Sequence, residues 1–191
     1  MSDYVYDAEY YAKHLGPIPC SFKSSEWRGL FKQVAERIIK DYKPKSVIDA
    51  GCAIGLLVRS LRDLKVPTLG FDFSEYAIKT AHQNKLYPYC QRYSLPYFNR
   101  WSAELVSCVE VVEHIPEDLA FQSIRNLCLM SGRYILFSSS PDDFEEPSHC
   151  NVQPEEYWLE MFTECGFKKI ATAPWLSKQA IVLEGSMVKF Q

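Results

Sequence analysis

The chain has 191 residues, of which 47% are hydrophobic and 24% are charged, and its formal net charge is −3. These values are typical of a folded globular protein and predict a single domain spanning residues 1–191. Because the charge is slightly negative and no basic block is present, nucleic acid is not an expected partner.

The sequence contains no apolar run of the roughly 20 residues that a membrane-spanning helix needs. Its first residues also lack the basic and apolar stretches of a secretory signal. The seven cysteines are odd in number and scattered, which favours reduced thiols over disulfides or a cysteine-bound zinc. We therefore expect a cytoplasmic protein without a membrane span, and the sequence does not indicate its oligomeric state.

Residues 1–22 are an arm rich in aromatic side chains, and two interpretations of it are open: an anchor to the domain or a lid over a bound ligand. Its tyrosines are Tyr4, Tyr6, Tyr10 and Tyr11. After the arm, apolar residues at spacings of three and four predict a helix over 27–38. Ser24 and Ser25 are candidate N-caps of this helix, and Pro44 lies beyond its end.

Strands and helices alternate through the rest of the chain. The predicted strands cover 46–50, 68–72, 89–92, 105–109, 134–138, 168–173 and 180–184. The predicted helices run from Gly55 to about 63, over 75–83 with Ser74 as cap, over 116–130 and over 154–166. This alternation predicts a doubly wound α/β fold, a mostly parallel seven-stranded sheet with helices on both faces. No helix separates the last two strands, so we expect an antiparallel last strand.

The first predicted strand leads into a glycine loop that is a candidate ligand site. Gly51 and Gly55 allow the tight turn and the close approach of a ligand that a Cβ would obstruct. The GxxxG spacing differs from the GxGxxG of dinucleotide folds, and the loop lacks the GK[ST] ending of a phosphate-binding P-loop. Asp72 ends the second predicted strand, where a carboxylate can accept both hydroxyls of a ribose.

Together these segments resemble the class I S-adenosylmethionine-dependent methyltransferase family. The first motif of that family is matched by 47–55, its ribose-binding acid by 70–74 and its segment after the fourth strand by 110–116. The resemblance implies a Rossmann-like methyltransferase fold with S-adenosylmethionine as cofactor. The cofactor-binding residues that it implies are Asp49, Gly51, Cys52, Gly55, Asp72, Phe73, Ser94 and Glu110. The stretch 91–96 lacks the acid that many family members place against the adenine, and Tyr93 or Ser94 is the expected substitute.

Two polar segments are candidates for the chemistry at the acceptor. The residues 110–114 either line the methionine pocket or bind a divalent metal through Glu110, Glu113 and His114, which would orient and acidify an acceptor hydroxyl. They resemble the ExxEH of ubiquinone-pathway O-methyltransferases and of small-RNA 2′-O-methyltransferases. The polar loop 138–151 follows the fifth strand and is expected to have no role in the core. Within it His149 is the candidate general base, and His114 is the other candidate catalytic residue.

The sequence predicts a methyltransferase that modifies an oxygen or nitrogen of a small-molecule or glycan acceptor. The loop after the fifth strand, together with 156–158, is similar to small methyltransferases of glycan and surface-polysaccharide pathways, which implies a sugar acceptor. Two alternatives are open. One is a metal-assisted 2′-O-methyltransferase that acts on an RNA end, which the acidic composition disfavours, and the other is a cofactor-binding subunit without catalytic activity.

Overall fold

The computed structural model describes residues 6–185, which divide into two compact units, 6–94 and 95–185. The helices are α1 (Ala8–Lys13), α2 (Ser25–Tyr42), α3 (Leu56–Asp63), α4 (Glu75–Gln83), α5 (Ala120–Met130) and α6 (Glu155–Glu164). The strands are β1 (Val47–Ala50), β2 (Thr68–Asp72), β3 (Cys90–Arg92), β4 (Ala103–Val109), β5 (Ser131–Ser138), β6 (Phe167–Thr172) and β7 (Ile181–Gly185). They form a seven-stranded sheet in the order β3-β2-β1-β4-β5-β7-β6, which confirms the predicted fold class.

The unit 6–94 contains the parallel strands β1, β2 and β3. Ile48 of β1 pairs with Leu69 of β2, and Gly70 of β2 pairs with Cys90 of β3. Of the two candidate N-caps of α2, Ser24 fills the role, because its hydroxyl accepts a hydrogen bond from Trp27 N at 3.1 Å. The helix α1 was not predicted, since six residues are too few to show a helical period.

The unit 95–185 contains β4 and β5, which run parallel, and β7, which is antiparallel to both of its neighbours. The predicted antiparallel strand is therefore confirmed. The largest differences from the predicted boundaries are at the start of the helix before β5 and at the start of β5, and the other elements of this unit differ by one or two residues at their ends. The helix expected from 116 begins as a 3₁₀ turn over Glu117–Leu119, and β5 starts at Ser131, directly after α5.

Apolar side chains fill the core in the way that a sheet with covered faces requires. All four residues of β1 are buried, and in the other unit Phe137 of β5 meets Phe162 of α6 with ring centroids 5.0 Å apart. The seven cysteines are free thiols, as predicted, and six of them are buried while Cys150 is exposed. Among residues 6–185, no helix is long and apolar enough to cross a membrane.

Candidate functional site

The glycine loop between β1 and α3 has a backbone conformation that favours glycine. Gly51 and Gly55 have positive φ angles of 77° and 88°. The amides of Gly51 and Cys52 both donate to the Phe71 carbonyl of β2, at 2.8 and 2.9 Å. At position 55 a Cβ would stand 2.6 Å from Leu86 Cδ1, so a side chain there would have to displace Leu86 in addition to adopting a strained φ.

Asp72 is held next to this loop by two backbone amides. Its Oδ2 accepts from Ala53 N and its Oδ1 from Ser74 N, each at 2.8 Å. Burial raises the pKa of Asp72, and the hydrogen bonds from the backbone oppose that effect. Each carboxylate oxygen has a second lone pair, so an anchored Asp72 can still accept hydrogen bonds from two ligand hydroxyls. The structure thus brings Asp72 and the glycine loop together, as the sequence reasoning expected.

The other predicted cofactor residues of this unit differ in how far their side chains are buried. The Cys52 side chain is buried in the core with Cys90. The backbone carbonyl of Cys52 accepts a hydrogen bond from Gly55 N at 2.8 Å, so Cys52 stabilises the conformation of the loop. Asp49 is buried within β1. Phe73 is 43% exposed and Ser94 is half-buried after β3.

The aromatic arm contacts the same end of the unit, which sequence reasoning left open. Tyr11 is buried and packs in one cluster with Ile54 of the glycine loop. Its phenol is in hydrogen-bond contact with Ser74, and burial followed by the charge of Asp72 raises the pKa of Tyr11 well above its ordinary value. The Ser74 hydroxyl also donates to the Tyr6 carbonyl at 2.6 Å. Tyr4 lies outside the described residues.

In the unit 95–185, Glu110 occupies the turn that follows β4. It is a non-glycine residue with a positive φ of 52°, and its amide donates to the Ser138 carbonyl at 3.0 Å. Its side chain accepts a hydrogen bond at Oε1 from Gln179 Nε2, at 3.2 Å. Sequence reasoning missed Gln179, because a single glutamine in a loop between two strands carries no motif.

Glu113 is fully buried one turn later. Ser140 N donates to its Oε1 at 3.3 Å, whereas its Oε2 has no hydrogen-bond partner among residues 6–185. Burial and, next, the charge of the nearby Glu110 raise the pKa of Glu113 to about 8, and the interaction of a protonated Glu113 with the Glu110 side chain adds to the rise. Metal-free Glu113 therefore holds a proton at neutral pH, and a cation could take the place of that proton.

Two imidazoles lie beside this carboxyl group. The rings of His114 and His149 have centroids 4.7 Å apart. Each donates from Nδ1 to a backbone carbonyl, His114 to Ser148 O at 3.2 Å and His149 to Asp143 O at 2.8 Å. Because a carbonyl can only accept, Nδ1 carries a proton on each ring, so in a neutral ring the lone pair is on Nε2. Burial and the neighbouring His149 lower the pKa of His114 to about 4, which keeps this ring neutral at physiological pH.

Glu113, His114 and His149 offer one ligand atom each, and the three atoms lie within 4.8 Å of one another. One carboxylate and two imidazoles suit Zn²⁺ and other divalent transition metals. The arrangement differs from the predicted set, because His149 joins Glu113 and His114 while Glu110 stands outside the group. The Glu113 Oε2 without a hydrogen-bond partner among residues 6–185 and the Nδ1 bonds of the two rings are compatible with a metal site.

The expectation that the loop 138–151 has no role in the core is wrong. Its buried residues are Ser138, Ser139, Ser140, Ser148 and Asn151. The amides of Cys150 and Asn151 donate to the Glu113 carbonyl, at 2.9 and 3.0 Å. The loop is therefore folded around Glu113, and this packing carries His149 to His114.

Comparison with known proteins places these features in context. The family described as "Methyltransferase domain" matches residues 21–172. A ubiquinone biosynthesis O-methyltransferase of Idiomarina loihiensis is 26% identical over 141 residues, which are 70% of this chain and 53% of that protein. The corresponding protein of Nitrosomonas europaea is 30% identical over 112 residues, which are 54% of this chain and 47% of that protein. The chain thus spans about half the length of the curated relatives it matches.

Solved structures with the same fold share little sequence with the chain. Magnesium protoporphyrin IX methyltransferase of Synechocystis PCC 6803, solved with bound SAM, has a TM-score of 0.68 at 20% identity, covering 94% of this chain and 90% of that one. An amino pentose methyltransferase of Micromonospora echinaspora, also solved with SAM, has a TM-score of 0.72 at 11% identity, covering 97% and 100%.

Proposed function

The chain belongs to the methyltransferase domain family, and from this premise we propose that it transfers the methyl group of S-adenosylmethionine to a hydroxyl oxygen of a small-molecule or sugar acceptor. The family that the sequence motifs resemble is thereby confirmed. The observation that favours oxygen as the acceptor atom is the group of Glu113, His114 and His149, because a hydroxyl needs to lose its proton during transfer.

The cofactor is proposed to bind at the glycine loop of the unit 6–94. Asp72 would accept the two ribose hydroxyls with the lone pairs that Ala53 N and Ser74 N leave available. Asp49 would orient the loop and the methionine amino group, with Gly51 against the methionine part. Bound SAM in the Synechocystis and Micromonospora structures supports this choice of cofactor for the fold.

The contacts of Tyr6 and Tyr11 with Ser74 support a further proposal, that the arm acts as a lid over this cofactor. Deleting residues 1–22 would then weaken S-adenosylmethionine binding. Unchanged affinity of the shortened chain would leave the arm as an anchor only. We also retain the proposal that the whole chain acts as one domain.

In the unit 95–185, we propose that Glu113 Oε2 and the Nε2 atoms of His114 and His149 hold a divalent metal ion. Such an ion supplies Lewis acidity, which lowers the pKa of an oxygen acid next to it. The residues of the chain contribute the orientation. The Ser148 and Asp143 carbonyls hold the two rings, and Ser140 N holds one oxygen of Glu113 so that the other is presented. In metal-free protein, His149 Nε2 would serve as the general base that accepts the hydroxyl proton.

The acceptor is proposed to be a sugar or another small hydroxyl compound. The O-methyltransferase names of the curated relatives support oxygen, and the net charge of −3 argues against an RNA end. The resemblance of the loop 138–151 to glycan methyltransferases supports a sugar.

The test is a methyl-transfer assay with methyl-labelled S-adenosylmethionine. The purified chain is stripped with chelator and assayed with Mn²⁺, Mg²⁺ or Zn²⁺ against panels of sugars, phenols, amines and RNA 3′ ends. We expect metal-dependent methylation of a hydroxyl in the sugar or phenol panel. Methylation of the amines alone would refute an oxygen acceptor, and activity only on RNA would establish the RNA alternative. Cofactor binding without turnover on any panel would favour a non-catalytic subunit.

A further inference from the structure

We propose that Gln179 is a positioning residue of the acceptor site, which holds the Glu110 carboxylate beside the group of Glu113, His114 and His149 and thereby sets the affinity of that group for a cation. This inference rests on the metal site of the proposed function. It concerns a residue that neither the family motifs nor the predicted site include.

The backbone at Glu110 has a conformation that is unfavourable for a residue with a side chain. A φ of 52° is a left-handed conformation that favours glycine and costs a residue with a side chain on the order of 1 kcal/mol. Two bonds retain Glu110 in it, the amide bond to the Ser138 carbonyl and the side-chain bond from Gln179. A carboxylate at a position where glycine would fit better indicates that the side chain itself is needed.

The backbone around Gln179 is held by hydrogen bonds within its loop. It lies in a tight loop between β6 and β7 that is closed by the bond from Ala173 N to Ala180 O, at 2.7 Å. Both of these alanines are buried. A second bond joins Ala180 N to Ser177 O at 3.2 Å, so Gln179 is enclosed by a hydrogen-bonded turn. The Gln179 amide is therefore delivered from a fixed backbone, as a positioning role requires.

Gln179 holds Glu110 without neutralising its negative charge. Glu110 lies close enough to Glu113 to interact with it, both through its charge and through its side chain. Gln179 donates a hydrogen bond to Glu110 Oε1 without bringing a positive charge, so the negative potential that attracts a cation is preserved. A lysine or an arginine in its place would satisfy the same oxygen and cancel that potential. Residues that orient a metal site in this indirect way typically change metal affinity 10–100-fold when they are replaced.

The test uses the full chain, with Mn²⁺ as the probe. Gln179→Leu should weaken Mn²⁺ binding, measured by calorimetry, about 10–100-fold, and lower kcat while the KM for S-adenosylmethionine is unchanged. Gln122→Leu is the matched control, because Gln122 donates a similar bond to Asn126 on α5, and it should change neither quantity. If Gln179→Leu fails to fold, Gln179→Met takes its place, because it keeps the length of the side chain and removes the donor without adding a charge.

Coupling to Glu110 decides the matter. In a Glu110→Gln background, Gln179→Leu should have little further effect, because its target carboxylate is already gone. Additive effects of the two substitutions on Mn²⁺ affinity and on kcat would overturn the positioning role. If the unsubstituted chain binds no Mn²⁺, the metal part of the proposed function fails, and the same cycle in kcat then decides the role of Gln179: non-additive effects uphold it and additive effects overturn it.

Discussion

Replacing Glu113 with glutamine should stabilise the metal-free protein while it abolishes metal binding. The pKa of Glu113 is raised from 4.5 to about 8 by burial and by Glu110. Between these two pH values the folded chain holds a proton that the unfolded chain has released, so folding stability falls as the pH rises. At about 1.4 kcal/mol per pH unit, the cost of this carboxyl group reaches about 3 kcal/mol at pH 7. Glutamine cannot ionise, so Glu113→Gln removes this cost.

The measurement is the free energy of unfolding in urea, in the presence of chelator, at pH 5, 6, 7 and 8. The advantage of Glu113→Gln over the unsubstituted chain should be below about 1 kcal/mol at pH 5 and grow to about 3 kcal/mol at pH 7. The pKa of His114 is lowered to about 4 in the folded chain, so His114 destabilises both proteins when the pH falls below its pKa in the unfolded chain. This effect is the same in both proteins and cancels in the difference between their free energies of unfolding. Glu117→Gln, at an exposed position on the following turn, is the control and should show no such trend.

A difference that stays constant with pH would refute the reasoning, because it would mean that Glu113 titrates alike in the folded and unfolded chains. A divalent ion adds a second comparison. Mn²⁺ should raise the stability of the unsubstituted chain and of Glu117→Gln, and leave Glu113→Gln unchanged. Stabilisation of all three proteins by Mn²⁺ would place the ion elsewhere.

Three further outcomes are expected. Asp72→Ala should weaken S-adenosylmethionine binding in calorimetry, and unchanged affinity in a folded variant would remove Asp72 from the ribose role. His149→Ala should lower kcat about 10²–10⁴-fold with little change in cofactor affinity, whereas a loss of cofactor binding would assign it to the cofactor pocket. Gly55→Ala should destabilise the chain by at least about 1 kcal/mol in urea unfolding, because its Cβ would meet Leu86 at 2.6 Å. Gly29→Ala in the open face of α2 is its control and should stabilise slightly, and equal effects at both positions would contradict the steric argument.

Most of the fold could be predicted because the local sequence pattern of each strand and helix indicates its type and extent. Strands buried on both faces read as apolar runs, and the boundaries of β2 and α4 match the prediction residue for residue. The segment before α2 could not be predicted in the same way. Its helix α1 is capped by Asp7 and stabilised by packing with the glycine loop, and contacts this far apart in sequence leave no local period.

The candidate site was predictable to the extent that it follows strand ends. Gly51, Gly55 and Asp72 stand directly after β1 or at the end of β2, so the topology of an α/β sheet brings them together. His149 lies far from His114 along the chain, and the two meet because both ends of the loop 138–151 are buried next to Glu113. Composition predicted that this loop has no role in the core, since serine and asparagine are mostly exposed in proteins.

Three unfavourable features of the unit 95–185 lie in the turn after β4. Glu110 has a left-handed backbone, Glu113 buries an oxygen that lacks a hydrogen-bond partner among residues 6–185, and His114 is held neutral by burial. Each of these costs stability. A chain selected for stability alone would place a glycine at 110 and an apolar residue at 113. The costs have one element in common, which is that a cation between Glu113, His114 and His149 would offset the charge and complete the coordination of the buried oxygen. The turn after β4 is therefore better explained by ligand binding than by folding.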